Sequence, residues 1–227
     1  MTASALAASL ERIGHVQAHL SAPASVLMAI VAIGATLVRW LWSVTQHVTT
    51  MAHEAAHAAV GSALGRQVKG ITFTTSGFGA TDVPGTSAIG TFTTAVAGYL
   101  GPSVFGVGAA GLIRAGYIVA VLWIGVIGLL AIMAVLRKSF GVVSVVLAFI
   151  LLFGVAGFGS VGVQVLTAYA VTWFLLISGV KMVRIDGKAN SDARKLRTIT
   201  KVPRGFWWWL WQLGAGAALV FGATLLV

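Results

Sequence analysis

Residues 116 to 136 read GYIVAVLWIGVIGLLAIMAVL, an apolar run without a single charged side chain. A helix needs about 20 such residues to cross the roughly 30 Å hydrocarbon layer of a bilayer, and in that solvent only helices and closed barrels satisfy their own backbone. The run has company. Residues 25–42, 88–113, 139–157, 160–180 and 206–227 are similarly apolar, the second of them interrupted by Gly101 and Pro102, and the stretch ending near Gly65 is apolar apart from a few polar groups. Composition agrees: 58% of the 227 residues are hydrophobic, only 9% are charged, and mean hydropathy is +0.96, whereas soluble domains carry about 25% charged residues. The expected fold is an all-α polytopic membrane protein of about six to seven transmembrane helices.

Residues 1–23 place Leu6, Leu10, Ile13 and Leu20 at helical spacing among Glu11, Arg12, His15 and His19, the pattern of an amphipathic segment lying at the membrane interface. Residues 24–227 are then expected to form one membrane-embedded domain. Between 67 and 86, Ile71 and Phe73 alternate with threonines while SGFG and VPG supply turns, which predicts a small membrane-associated β-hairpin. Its edge offers a strand beside which an extended peptide can pair.

Eight of the fifteen Lys and Arg residues fall between Lys181 and Arg204. Cytoplasmic loops are enriched in these residues, so this loop is assigned to the cytoplasm of a cell membrane, together with Arg66, Lys69, Arg137 and Lys138. A count of seven spans puts the N-terminus in the cytoplasm too. The net charge of +10 then reads as topology and as attraction to anionic lipid headgroups, and nucleic acid is not an expected partner.

Within this greasy chain, TTMAHEAAHAAVG at 49–61 holds two histidines and a glutamate. Each such group costs roughly 2.5–3.5 kcal/mol to insert, so it must face a protein interior or a functional site. His53, Glu54 and His57 spell H-E-x-x-H. On a helix, residues i and i+4 share a face about 6 Å apart along the axis, so both imidazoles reach one ion while Glu54 addresses a water beside it as general base. With five histidines and two glutamates available, chance writes this pattern on the order of 0.001 times. There are no cysteines, so thiolate sites are excluded, and zinc held by three protein groups with one open position is the natural ion.

A third ligand must come from elsewhere. The soluble extension H-E-x-x-H-x-x-G-x-x-H fails, because Val60 and Ala63 stand where glycine and histidine are needed. His47 is about 120° off the His53 face, and His15 and His19 belong to the interfacial segment, where they are expected to be solvated. Asp82, in the hairpin, has the local hydrogen-bonding role of a turn residue. Asp186 and Asp192 both follow the later spans, and residue chemistry barely separates them.

HEAAHAAVGSALG at 53–65, AGYLGPSVFG at 97–106, RKSFGVVSV at 137–145 and SDARKLRTITKVPRGFWWWLW at 191–211 together resemble the M50B-like branch of the site-2 protease metallopeptidases, across most of residues 45–211. The resemblance implies a membrane-embedded H-E-x-x-H helix and a zinc ion whose third ligand is the aspartate of the SDA element, Asp192. Better-known relatives carry that aspartate in an L-D-G element after an N-P pair; this chain lacks the pair, and IDG at 185–187 keeps Asp186 as the alternative.

The implied activity is zinc-dependent intramembrane endoproteolysis, with His53, His57 and Asp192 on the metal and Glu54 as base, acting on membrane proteins or membrane-associated peptides. Two alternatives compete. A metal-handling transporter would need ionisable groups along several spans, yet 116–136 and 139–180 offer only Gln164 and tyrosines. A catalytically silent membrane scaffold would have no need of Glu54. The FWWWLW run is read as an interfacial aromatic anchor.

Overall fold

The apolar runs fold as helices. In the computed structural model, which describes residues 2–84, 87–137, 141–185 and 191–227, five helices are long and apolar enough to cross a membrane. They are α4 (Ala88–Arg114), α5 (Ile118–Val135), α6 (Gly141–Phe158), α7 (Val161–Ile185) and α9 (Arg204–Leu226). Helices α2 (Ala22–Leu37) and α3 (Arg39–Ala63) pass the same test only as a pair bent by 100°. The protein is thus a multi-pass membrane protein with five crossings among the described residues, or six with the bent pair counted as one. Two short helices, α1 (Thr2–Arg12) and α8 (Ser191–Thr200), and a two-stranded sheet complete the described elements.

The bend is where the structure departs most from the sequence reading. A straight span over 25–42 was expected, but Val38 adopts extended torsions (φ −72°, ψ 119°), so α2 stops and the tryptophans Trp40 and Trp42 open α3 instead. A helix end inside the membrane must find partners for its last carbonyls. Lys181 of α7 donates to the Thr36 carbonyl and lies over the Trp42 ring, 4.0 Å from its centroid. A cation at a helix C-terminus also suits the helix dipole. In the opposite sense, α4 runs unbroken through Pro102, where an interruption was expected; buried packing on neighbouring helices lets membrane helices absorb a proline.

Small residues let α3 and α4 approach closely. A Cβ added at Gly101 would meet the Ala52 carbonyl at 3.0 Å and the Ala56 methyl at 2.5 Å. The main core gathers Ile113, Leu122, Tyr169, Trp173 and Leu176, all buried, between α4, α5 and α7. The aromatic run of α9 divides: Trp209 faces outward as an anchor should, but Trp207 and Trp211 are buried with Tyr99 and Leu196. Their i, i+4 spacing turns both rings to one face, inward.

The N-terminal segment is bolted down rather than merely resting on lipid. The buried Ser9 hydroxyl donates to the Ala156 carbonyl and accepts from Gln164 (3.0 Å) and Trp123 (3.2 Å), while Arg12 donates to the Gln164 side chain at 3.1 Å. Further on, Gln17 bonds Gly116 and Val119, and exposed His19 bonds the Ile113 carbonyl at 2.8 Å. Residues 9–19 therefore pack at the end of the bundle where α4 meets α5, opposite the end holding Arg66 and α8.

The predicted hairpin forms as β1 (Gly70–Phe73) and β2 (Gly79–Asp82), antiparallel with Ile71 opposite Thr81. Its turn is closed by Thr74 N to Phe78 O at 2.8 Å, with Gly77 at φ +82°, a left-handed torsion that suits glycine. Ile71 and Phe73 bury against Met51 and Val145.

Candidate metal centre

The site is built on the inner face of α3, where Thr49, Thr50, His53, Glu54 and His57 are all buried. Helical spacing aims both imidazoles the same way: His53 Nε2 and His57 Nε2 lie 3.0 Å apart. Asp192, in the first turn of α8, brings its Oδ2 to 3.1 Å from His57 Nε2 and 3.4 Å from His53 Nε2. Leu196, fully buried one turn later, fixes this face of α8 inward. These three residues are the one group of three potential ligands found among the described residues.

A zinc ion fits them. Bonds of 2.0–2.1 Å in a tetrahedron put neighbouring donors about 3.3 Å apart, and the three separations of 3.0, 3.1 and 3.4 Å form such a triangle. Tautomers point the same way. His57 Nδ1 lies 2.7 Å from the Thr94 carbonyl, which can only accept, so Nδ1 carries a proton, and in the neutral form of the ring the lone pair is on Nε2, toward His53 and Asp192. Asp192 is buried, and its Oδ2 lies within 3.4 Å of both imidazole Nε2 atoms. Lone pairs converging around a buried anion call for a cation.

Asp192, Glu54 and His57 have hydrogen-bond partners behind them, whereas the buried His53 Nδ1 has none among the described residues. Lys195 donates to Asp192 Oδ1 at 3.2 Å, which leaves Oδ2 as the donor toward the imidazoles. Glu54, 3% exposed, stands outside the triangle, and its Oε2 accepts from the Thr81 hydroxyl at 2.6 Å. Tyr99 sets its ring edge-on to His53, centroids 4.7 Å apart, and is backed by Trp211. A cavity of about 350 Å³ opens over the whole group; its lining includes Gln46, Thr49, Phe78, Tyr99 and Met182.

The other candidates go elsewhere. Asp82 points outward to Arg137 at 3.4 Å, and His47 does not line the cavity. His15 is exposed, as expected, whereas His19 is exposed yet tied to Ile113. Asp186 and Asn190 lie outside the described residues. Sequence reasoning missed Thr81, Thr94 and Lys195; of these only Lys195 carried a local signal, three residues after Asp192 on the same helix face.

Gly98 is required by geometry. A Cβ there would fall on the His57 ring and within 2.7 Å of His53 Cε1. Gly98→Ala is therefore expected to displace both imidazoles and weaken zinc binding by at least the roughly 10- to 100-fold that loss of an outer partner costs, read by chelator competition. Intrinsic propensity acts in the other direction, since alanine favours a helix by about 1 kcal/mol over glycine, so helicity by circular dichroism should hold.

Fold and site together define a class: a multi-pass helical membrane protein with a buried His–His–Asp cluster and a glutamate beside it. Residues 26–222 match the Peptidase M50B-like family model, and the chain belongs to that peptidase family. No curated protein and no solved structure matched it significantly.

Proposed function

We propose that the protein is a zinc-dependent intramembrane endopeptidase hydrolysing peptide bonds of membrane-associated substrates. One observation carries the reading: the donor triangle of His53, His57 and Asp192, with edges of 3.0–3.4 Å, shares a cavity with the carboxylate of Glu54. Zinc, when bound, supplies a Lewis acid that lowers the pKa of water to about 7 and polarises the scissile carbonyl. Glu54 takes the proton of the attacking water and returns it to the leaving amine. The aromatic and thioether walls from Trp42, Phe78, Tyr99 and Met182 suit apolar substrate side chains. A transport role finds no support in Gln164, whose bonds go to Ser9, Arg12 and Ala156.

The test is to purify the parent and Glu54→Gln from membranes, measure zinc, and compare the membrane peptides each retains. One zinc per chain in both, with substrates accumulating on the variant alone, is the expected result; identical retained peptides would overturn it.

The packing of residues 9–19 also supports an orientation. If the basic loops are cytoplasmic, the bent pair is one crossing and both termini lie on the far side, which moves the N-terminus from the cytoplasmic side expected above. Only Arg12 and Arg114 then oppose the positive-inside rule. The chain has no cysteine, so single replacements report cleanly: Thr198→Cys should react with an impermeant maleimide from the cytoplasmic face, and Ser4→Cys only from the opposite face.

A further inference from the structure

We propose that Thr81 of the hairpin is a positioning residue for Glu54, holding its carboxylate in one orientation. The inference rests on the reading of Glu54 as general base, and it begins with strand periodicity. Successive β2 residues alternate between inward and outward, so Gly79 and Thr81 turn toward α3 while Ala80 and Asp82 are exposed. Glycine at 79 leaves the strand bare where the glutamate lies: an added Cβ would come within 2.7 Å of both Glu54 Cγ and Oε1. Thr81 then reaches over with its hydroxyl, 2.6 Å from Glu54 Oε2 and 3.2 Å from the Glu54 carbonyl.

A bond of that length to a carboxylate is charge-assisted, among the stronger kinds of hydrogen bond. A glutamate otherwise keeps rotamer freedom, worth up to about 2 kcal/mol. Holding Oε2 fixes the plane and position of the carboxylate that takes the proton. The donor itself is immobilised: Thr50 bonds the Gly77 carbonyl at 2.7 Å, and Arg137 N bonds the Ile71 carbonyl at 2.9 Å, which pins the hairpin from both sides. The hairpin is thereby part of the proton-transfer machinery, in addition to any contact it makes with substrate.

Glu11 and Glu54 are the two glutamates of the chain, so labelling with [5-¹³C]glutamate gives two carboxyl resonances, assigned by Glu54→Gln. In micelles at fixed pH, Thr81→Val should displace the Glu54 resonance beyond its linewidth and leave Glu11 in place; Thr81→Ser should restore it. Valine is nearly isosteric and favours strands, so the hairpin is kept. Zinc affinity by chelator competition should stay within about twofold, because Thr81 touches no donor atom; loss of order 10–100-fold would mark an outer metal partner instead. On a substrate trapped by Glu54→Gln, Thr81→Val should lower kcat about 10²-fold at unchanged KM, the cost of a misplaced reacting group, and serine should recover it. An unmoved Glu54 resonance in Thr81→Val, or a Thr81→Ser enzyme as slow as the valine variant, would overturn the proposal. If the resonance moves as expected but Glu54→Gln turns over like the parent, the contact stands and the general-base reading fails.

Discussion

Glu54→Gln is expected to keep one zinc per chain and lose about 10²- to 10⁴-fold in kcat, the contribution of a positioned general base. The two effects separate because the carboxylate stands outside the triangle of Nε2, Nε2 and Oδ2 donors. Glutamine preserves the side-chain shape and still accepts from Thr81, so the buried site stays satisfied. It cannot accept the proton of the attacking water. Metal content by atomic absorption and turnover on a trapped substrate check both halves; a variant that cleaves at the parent rate would remove Glu54 from the chemistry.

Asp192→Asn is expected to have the opposite profile, with zinc lost and the fold kept. Asp192 is the single anion in the donor set, and its replacement leaves Lys195 facing a neutral amide. The loss in affinity should exceed the roughly 10- to 100-fold typical of outer partners. A ligand present at 100 times its Kd stabilises the state it binds by about 2.7 kcal/mol, so zinc should raise the Tm of the parent and not that of the variant. Asp186→Asn serves as the control and should behave as the parent does. If zinc instead leaves with Asp186→Asn and remains with Asp192→Asn, the ligand assignment is reversed.

Length and hydropathy made α4 to α7 and α9 readable, because crossing hydrocarbon imposes a local requirement on each segment. The H-E-x-x-H pair was readable for the same reason, since one helical turn sets its geometry. The bend between α2 and α3 was not: neither glycine nor proline stands at 38, and the contact that satisfies the broken end comes from Lys181, 145 residues away. Asp192, which completes the His53–His57 cluster, is separated from His57 by 135 residues, so composition left Asp186 and Asp192 level until family resemblance chose between them. Thr94 acts through its backbone carbonyl, which any residue supplies, and leaves no trace in the sequence. Trp207 and Trp211 look like Trp209 by composition, and only their spacing separates core from interface.

Hydrolysis in oil needs a co-reactant that oil excludes. On the bent helix, Gln46, Thr49 and Thr50 follow one another toward Glu54, and Ser76 faces them from the hairpin turn, all bordering one hollow. Such a file of hydroxyls and an amide can host hydrogen-bonded water where aliphatic walls would stay dry. Downstream of the break at Val38, α3 therefore carries a wettable stripe along the wall of that hollow.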